Sequence, residues 1–364
     1  MRSASVFTLV NRNVSTGSKL TCTQFKRLKV KRILLIAWAQ AGEVILSTML
    51  VQLLRKRYPK AHISYVAWEG GMGILKDDRN IDELIPANAK IYRELAGGQS
   101  YDLAIDLYAG GGSRLMAYLS GAKYVVFSVK PSMGAVSTEG LKLVRHRDNN
   151  IKDHFVNIIR LLGVKISCAK LDRLRPCLSI TKNEALFAAR FLEKKGISAG
   201  DFVVGLQPAR HYEIWPESKY AELAQDLINK YKAKIIIFHG HGEKGSAEKI
   251  HSFMPHNSVL LPRLNVRDYF AVLSRCNLLV TTIGGAAHAG AALGVPAAVI
   301  LCKGQKDYWV PRGGPESFYL PIISKVSYFD AMYNITKRIS LLTVSVRQVL
   351  DFIGKQKDNI GIVA

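Results

Sequence analysis

Short apolar runs recur along this chain, each followed by small or polar residues and then by a stretch with helical spacing. The first is Arg32-Ile33-Leu34-Leu35-Ile36-Ala37-Trp38. A run this short and unbroken suits a strand covered on both faces. Gln40-Ala41-Gly42-Glu43 comes next, then a helix pattern over 44–58 that Pro59 stops, because proline has no N–H to continue the ladder. Further strands are predicted at 63–67, 101–107 and 123–128. The rhythm restarts at 202–206 and continues at 234–238, 278–282 and 297–301, with helices over 217–231, 266–276 and 286–293. Strand–helix–strand order with right-handed crossovers gives parallel sheets. Two such series predict an α/β chain of two Rossmann-like parallel-sheet domains facing a cleft. The expected organisation is a basic extension at 1–30, an N-terminal domain at 31–182 and a C-terminal domain at 183–327. A last helix at 328–364 is expected to pack back towards the N-terminal domain.

The length of 364 residues agrees with two domains. Lys plus Arg number 51 against 28 for Asp plus Glu, a formal charge of +23. Such a surplus points to an acidic partner: nucleic acid, anionic lipid or a phosphorylated substrate. No aromatic–basic stripe or nucleic-acid motif accompanies it, so a nucleic-acid partner is not expected. Between Met1 and Gly42 there is no acid, while Arg2, Arg12, Lys19, Lys26, Arg27, Lys29, Lys31 and Arg32 all fall there. That segment reads either as a solvated leader or as a basic arm resting on anionic phospholipid. No window of about 18 apolar residues exists for a membrane-spanning helix. Five scattered cysteines without a C-x-x-C read as reduced thiols in a cytoplasmic protein, and neither a metal site nor a cofactor is expected.

Ligands of open parallel sheets sit outside the carboxyl ends of the strands. The loops at 40–43, 109–114, 207–215, 239–245 and 283–288 therefore carry the candidate chemistry. Gly284-Gly285-Ala286-Ala287-His288 follows a strand and opens a helix. Small residues there let backbone amides approach an anion, and His288 could donate to a phosphate oxygen; the bland alternative is a tight turn with a buried histidine. In Gln207-Pro208-Ala209-Arg210-His211-Tyr212-Glu213-Ile214-Trp215-Pro216, Arg210 suits a bidentate hold on a diphosphate, and Trp215 with Pro216 suits an aromatic staple on the next helix. Glu43, beside Gly42, is either a partner for the helix dipole or a general base at the cleft. Glu243, in His239-Gly240-His241-Gly242-Glu243, suits an acceptor for ribose hydroxyls. Ser113 and Arg114, after Gly110-Gly111-Gly112, either help to recognise an anionic acceptor or simply close a loop.

Taken in order, several blocks resemble the lipopolysaccharide heptosyltransferases of glycosyltransferase family 9, which have the GT-B fold. They are Arg32-Ile33-Leu34-Leu35-Ile36, Ala41-Gly42-Glu43-Val44-Ile45-Leu46-Ser47-Thr48, Leu54-Arg55-Lys56-Arg57-Tyr58-Pro59, Tyr101-Asp102-Leu103-Ala104-Ile105-Asp106-Leu107, Trp215-Pro216-Glu217-Ser218-Lys219-Tyr220-Ala221-Glu222-Leu223-Ala224 and His288-Ala289-Gly290-Ala291-Ala292-Leu293-Gly294-Val295-Pro296. The resemblance implies an inverting, metal-independent transfer of heptose from ADP-heptose to an anionic lipid A–core acceptor at the inner face of the inner membrane. It implies that Glu43 stands where the family has an aspartate base and that His288 and Gly285 match the histidine and glycine of its Gly-rich C-terminal motif. Together with the reading of the loops, this puts Gly42, Ser113 and Arg114 on the acceptor side, and Arg210, His211, Glu213, Trp215, Glu243, Gly284, Gly285, Ala286, Ala287 and His288 on the donor side. Besides Glu43, two positions depart from the family pattern. Glu213 stands where a lysine is common, and Ile283 where an aspartate is common. A different nucleotide sugar, or a binding protein without turnover, are the alternatives those positions raise.

Overall fold

The computed structural model describes residues 6–11, 29–37, 40–98, 100–108, 110–129, 155–156, 158–160, 162–164, 166–167, 174–208, 215–240, 242–303, 310, 319–327 and 343–356. Cα packing divides the chain into two compact units, Met1–Cys177 with Pro311–Gly314, and Leu178–Val310 with Pro315–Ala364. The sequence reading puts the boundary at 182/183. The packing puts it at 177/178, because the Cys177 N–H bonds the Thr48 hydroxyl of the first unit while the Leu178 N–H bonds the Ala292 carbonyl of the second.

The first unit holds strands β1 (Val6–Asn11), β2 (Arg32–Ile36), β3 (His62–Ala67), β4 (Glu83–Pro86), β5 (Leu103–Asp106) and β6 (Tyr124–Val129) in the order β1-β6-β5-β2-β3-β4. All pairs are parallel except β1 with β6, where Val6 lies opposite Val129 and Asn11 opposite Tyr124. Part of the expected N-terminal extension is thus an antiparallel edge strand, not a solvated arm; residues 12–28 lie outside the described residues. The first unit also holds helices α1 (Ala41–Arg57), α2 (Glu69–Leu75), α3 (Ile91–Gly97) and α4 (Gly111–Leu119). In α1 an unbroken stretch from Val44 to Val51 is buried, with Leu54. Such a helix is held by burial on nearly every side rather than by one apolar stripe. Its two hydroxyls stay satisfied inside: Ser47 donates to the Val44 carbonyl at 2.7 Å and Thr48 to the Ile45 carbonyl at 2.7 Å.

The second unit holds α5 (Lys182–Glu193), β7 (Val203–Gln207), α6 (Glu217–Tyr231), β8 (Lys234–Ile237), α7 (Lys244–Ser252), β9 (Ser258–Leu260), α8 (Val266–Leu273), β10 (Leu278–Thr282), α9 (Gly285–Leu293), β11 (Ala297–Lys303), β12 (Tyr319–Ser327) and α10 (Val346–Lys355). Its sheet, β12-β11-β10-β7-β8-β9, is parallel throughout. α9 lies close on the sheet: a Cβ at Gly290 would stand 3.3 Å from the Leu279 side chain and from the Val295 carbonyl. Gly294 ends α9 at φ 79°, a left-handed backbone that glycine takes without a Cβ clash.

The last helix departs from expectation. Val346, Val349 and Ile353 of α10 join the second unit's core with Val344, Leu223, Leu227 and Ile250, and α10 lies against α6. The helix spans 346–355, and residues 328–342 lie outside the described residues. The physical reason is a strongly one-sided helix. Its apolar stripe needs the nearest open apolar surface, and α6 presents one.

Candidate functional site

In each sheet the strand order reverses at one place, and the loops on either side splay apart there. In the first unit the reversal lies between β2 and β5, where Ile36 pairs with Asp106. α1 starts beyond β2 and puts Glu43 in its first turn. The Gln40 N–H donates to Glu43 Oε2 at 3.1 Å, so the carboxylate closes the open end of the helix. This is the dipole-partner geometry foreseen as one reading. It leaves Oε1 without a hydrogen bond among the described residues, on a side chain that is part-exposed. Gly42, one residue earlier, is part-exposed in the same turn.

Beyond β5, Asp106 is fully buried and organises the loop to α4. One oxygen accepts the Tyr108 N–H at 2.9 Å and the other the Ser113 hydroxyl at 2.9 Å. Ser113 also accepts the Gly110 N–H at 3.1 Å. Ser113 is therefore a buried brace for the start of α4 and does not face solvent, which corrects its expected contact with an acceptor. Arg114 follows it, part-buried on α4. Asp106 carries the loop's geometry, and as one acid inside an apolar strand run it gave no local signal of that.

In the second unit the reversal lies between β7 and β10, where Gln207 pairs with Thr281. After β10, Gly284 leads into α9. The first helical bond runs from the His288 N–H to the Gly284 carbonyl, so the amides of Gly285, Ala286 and Ala287 have no acceptor in their own helix. Gly284 is exposed, Gly285 and Ala286 are part-exposed, and Ala287 is buried. A Cβ at Gly284 would meet nothing within 4 Å. The turn is an open cradle of N–H groups at the positive end of a helix. His288 points inward and is 2% exposed; burial pushes its imidazole down to about 3, so it is neutral at pH 7. That geometry is the buried histidine of the bland reading.

Across the reversal, Gln207 ends β7 and Glu243 precedes α7. The Gln207 amide donates to Glu243 Oε2, which also accepts the Gly240 N–H at 2.6 Å. Gln207 Oε1 accepts the Tyr269 hydroxyl at 3.0 Å, and its main-chain carbonyl accepts the Tyr220 hydroxyl at 3.3 Å. Burial raises both phenols above their ordinary range and keeps them donors. Gln207 and Tyr269 were not foreseen, since their pairing joins positions 62 apart.

Trp215 is buried just ahead of α6. It is 1% exposed, its indole N–H donates to the Val344 carbonyl at 2.9 Å, and its ring meets Tyr220 edge-on at 4.8 Å. The structure gives it the staple role and corrects the donor-side expectation. Arg210, His211 and Glu213 lie outside the described residues.

Comparison with known proteins agrees with this architecture. The sequence pattern of Glycosyltransferase family 9 (heptosyltransferase) matches residues 89–311. The match takes in Ser113, Arg114, Glu243 and the 284–288 turn, and begins after Glu43. Lipooligosaccharide heptosyltransferase 2 of Haemophilus ducreyi is 22% identical over 297 residues, covering 75% of this chain and 83% of that protein. The crystal structure of a family 9 glycosyl transferase from Veillonella parvula superposes with a TM-score of 0.74 at 20% identity, covering 91% of this chain and 98% of that one. The structure of E. coli ADP-heptose lps heptosyltransferase II superposes with a TM-score of 0.68 at 18% identity, covering 89% and 98%. With two Rossmann-like α/β units of the GT-B kind and a family match over more than half its length, the chain belongs to glycosyltransferase family 9 and is a glycosyltransferase of heptosyltransferase type.

Proposed function

We propose that the chain is an inverting, metal-independent transferase that moves a heptose from ADP-heptose to a lipopolysaccharide core acceptor. The observation that carries this reading is the α9 turn. Amide groups of Gly285 and Ala286 open at the strand-order reversal of the second sheet, where a diphosphate meets fixed dipoles rather than mobile water. Glu243, held by Gln207 and Gly240, accepts from the ribose hydroxyls. Arg210 and His211 supply positive charge to the diphosphate. On the acceptor side, Glu43 takes the proton of a sugar hydroxyl. That oxygen attacks the anomeric carbon, the bond to the diphosphate breaks, and the amides stabilise the charge that collects on the departing ADP. Arg114 attracts the acceptor's phosphates, and the net charge of +23 holds the chain on anionic membrane at the cytoplasmic face.

Ile283 favours a second reading, in which the donor is another nucleotide sugar, because an alkyl side chain accepts no hydrogen bond from a sugar hydroxyl. Purified protein is incubated with ADP-heptose, or with UDP- and GDP-hexoses, and a heptose-deficient lipopolysaccharide, with products read by mass spectrometry. Heptose addition that persists in EDTA, and a fall of about 10²–10⁴ in kcat for Glu43→Gln with ADP affinity unchanged, is the expected result. Full transfer by Glu43→Gln overturns the base. Transfer from a hexose donor alone establishes the second reading. No thermal shift with any nucleotide leaves a binding protein without turnover.

A further inference from the structure

The loops after β3 and β5 each carry a large exposed aromatic side chain. Trp68 follows β3 and is 37% exposed, and Tyr108 follows β5 and is 43% exposed. β2, which leads to Glu43, lies between those two strands. Neighbouring strands are about 4.8 Å apart, so the two loops start roughly 10 Å from each other, with the end of β2, which leads to Glu43, between them. Both rings rest on glycine. A Cβ at Gly70 would stand 1.9 Å from the Trp68 ring, and one at Gly110 would stand 2.7 Å from the Tyr108 ring. One side of each ring is thus pressed on backbone and part of the rest is left to solvent. Ring positions fixed in this way lose little freedom when a ligand arrives. Asp106 holds the Tyr108 backbone N–H as well, so this loop is braced from below.

We infer that Trp68 and Tyr108 are stacking platforms for sugar rings of the acceptor saccharide, one on each side of Glu43. The C–H-rich face of a pyranose is weakly positive and apolar, and it complements the negative face of an aromatic ring. A pair of platforms flanking a carboxylate fixes which hydroxyl is presented to it. This assignment rests on the transferase reading above and names the part of the acceptor that the first unit recognises.

The test is calorimetric titration of the full chain with a deacylated lipopolysaccharide inner-core oligosaccharide, and separately with ADP. Trp68→Ala and Tyr108→Ala are each expected to weaken oligosaccharide binding about tenfold and to leave ADP binding unchanged. Trp68→Phe and Tyr108→Phe should stay within threefold of the wild type. Melting temperatures identify any variant that does not fold, in which case the other alanine variant and the two phenylalanine variants decide. Failure of the wild type to bind the oligosaccharide, or alanine variants that bind it like the wild type, overturns the platforms. A transfer assay with ADP-heptose runs in parallel. Oligosaccharide binding that depends on both rings, without transfer, keeps the platforms and overturns the heptosyl reading; transfer with unaltered saccharide affinity in the alanine variants does the reverse.

Discussion

The carboxylate of Glu243 is aimed by its neighbours rather than by its own backbone. Gln207 donates to it from the end of β7, and Tyr269 and Tyr220 hold Gln207 in place through its side chain and its carbonyl. Tyr269 is itself fixed edge-on to Phe238 at 5.2 Å. Gln207 is therefore a positioning residue for Glu243, and so for the ribose contact proposed for it. Gln207→Leu removes the donor and leaves the Tyr269 hydroxyl unpaired. We expect ADP affinity and the donor KM to worsen about tenfold while kcat at saturating donor stays within about twofold, measured by calorimetry and steady-state kinetics. Gln207→Asn shortens the reach and should lie between. Loss of kcat with an unchanged KM would contradict this role. Of this cluster, only Glu243 was legible in the sequence, because an acid in a glycine-rich loop after an apolar run is a local pattern. Gln207 ends such a run without breaking it, and its partners come from α6, α8 and the loop after β8.

Between elements, the join of α5 to α8 illustrates how one side chain does two jobs. Glu184 caps α5, accepting the Thr181 N–H at 2.8 Å, and receives Arg267 Nε and Nη2, each at 2.7 Å, from α8. Arg267 Nη2 also holds the Ser179 carbonyl at 2.7 Å. The guanidinium lies mostly buried beside the carboxyl, and its hydrogen bonds pull the Glu184 carboxyl down from 4.5 to about 2. The group is charged more easily in the folded chain than in the unfolded one, so its contribution is complete above about pH 4.5 and fades as the pH falls towards 2. That contribution is at most about 3 kcal/mol. Unfolding free energies of wild type and Glu184→Gln from urea titration are expected to differ by roughly 1–3 kcal/mol at pH 7 and to converge as the pH falls to about 2. A gap that stays constant across that range would mean that the charge is not what matters. The Thr181–Glu184 capping pattern is readable three residues apart; the partner on α8 is 83 residues away and is not.

At the scale of the whole molecule, charge is unevenly shared. Residues 1–177 carry 28 lysines and arginines against 13 acids, and residues 178–364 carry 23 against 15. The first unit also exposes Leu115 and Tyr118 on α4. A basic surface with a few apolar side chains suits the headgroup region of an anionic bilayer. Co-sedimentation with vesicles containing phosphatidylglycerol should be strong at 50 mM NaCl, nearly absent at 500 mM, and absent with phosphatidylcholine alone, because the screening length shortens with salt. Leu115→Ser with Tyr118→Ser should lower binding at every salt concentration. Equal binding to neutral vesicles would refute the electrostatic part.

The sequence by itself determined the alternation that makes two parallel sheets. A strand covered on both faces must be an apolar run, and a crossover helix must follow it, so β2, β3, β5, β6, β7, β8, β10 and β11 are each written locally. Short edge strands such as Glu83–Pro86 and Ser258–Leu260 carry no such run, and β1 finds its place only by pairing with a strand more than a hundred residues on. Tertiary structure alone decided that α10 joins α6, that the Trp215 indole meets the Val344 carbonyl, and that Trp68 and Tyr108 follow the two strands that flank the one leading to Glu43. Each of these depends on which surfaces meet across long chain separations, and local periodicity holds no record of that.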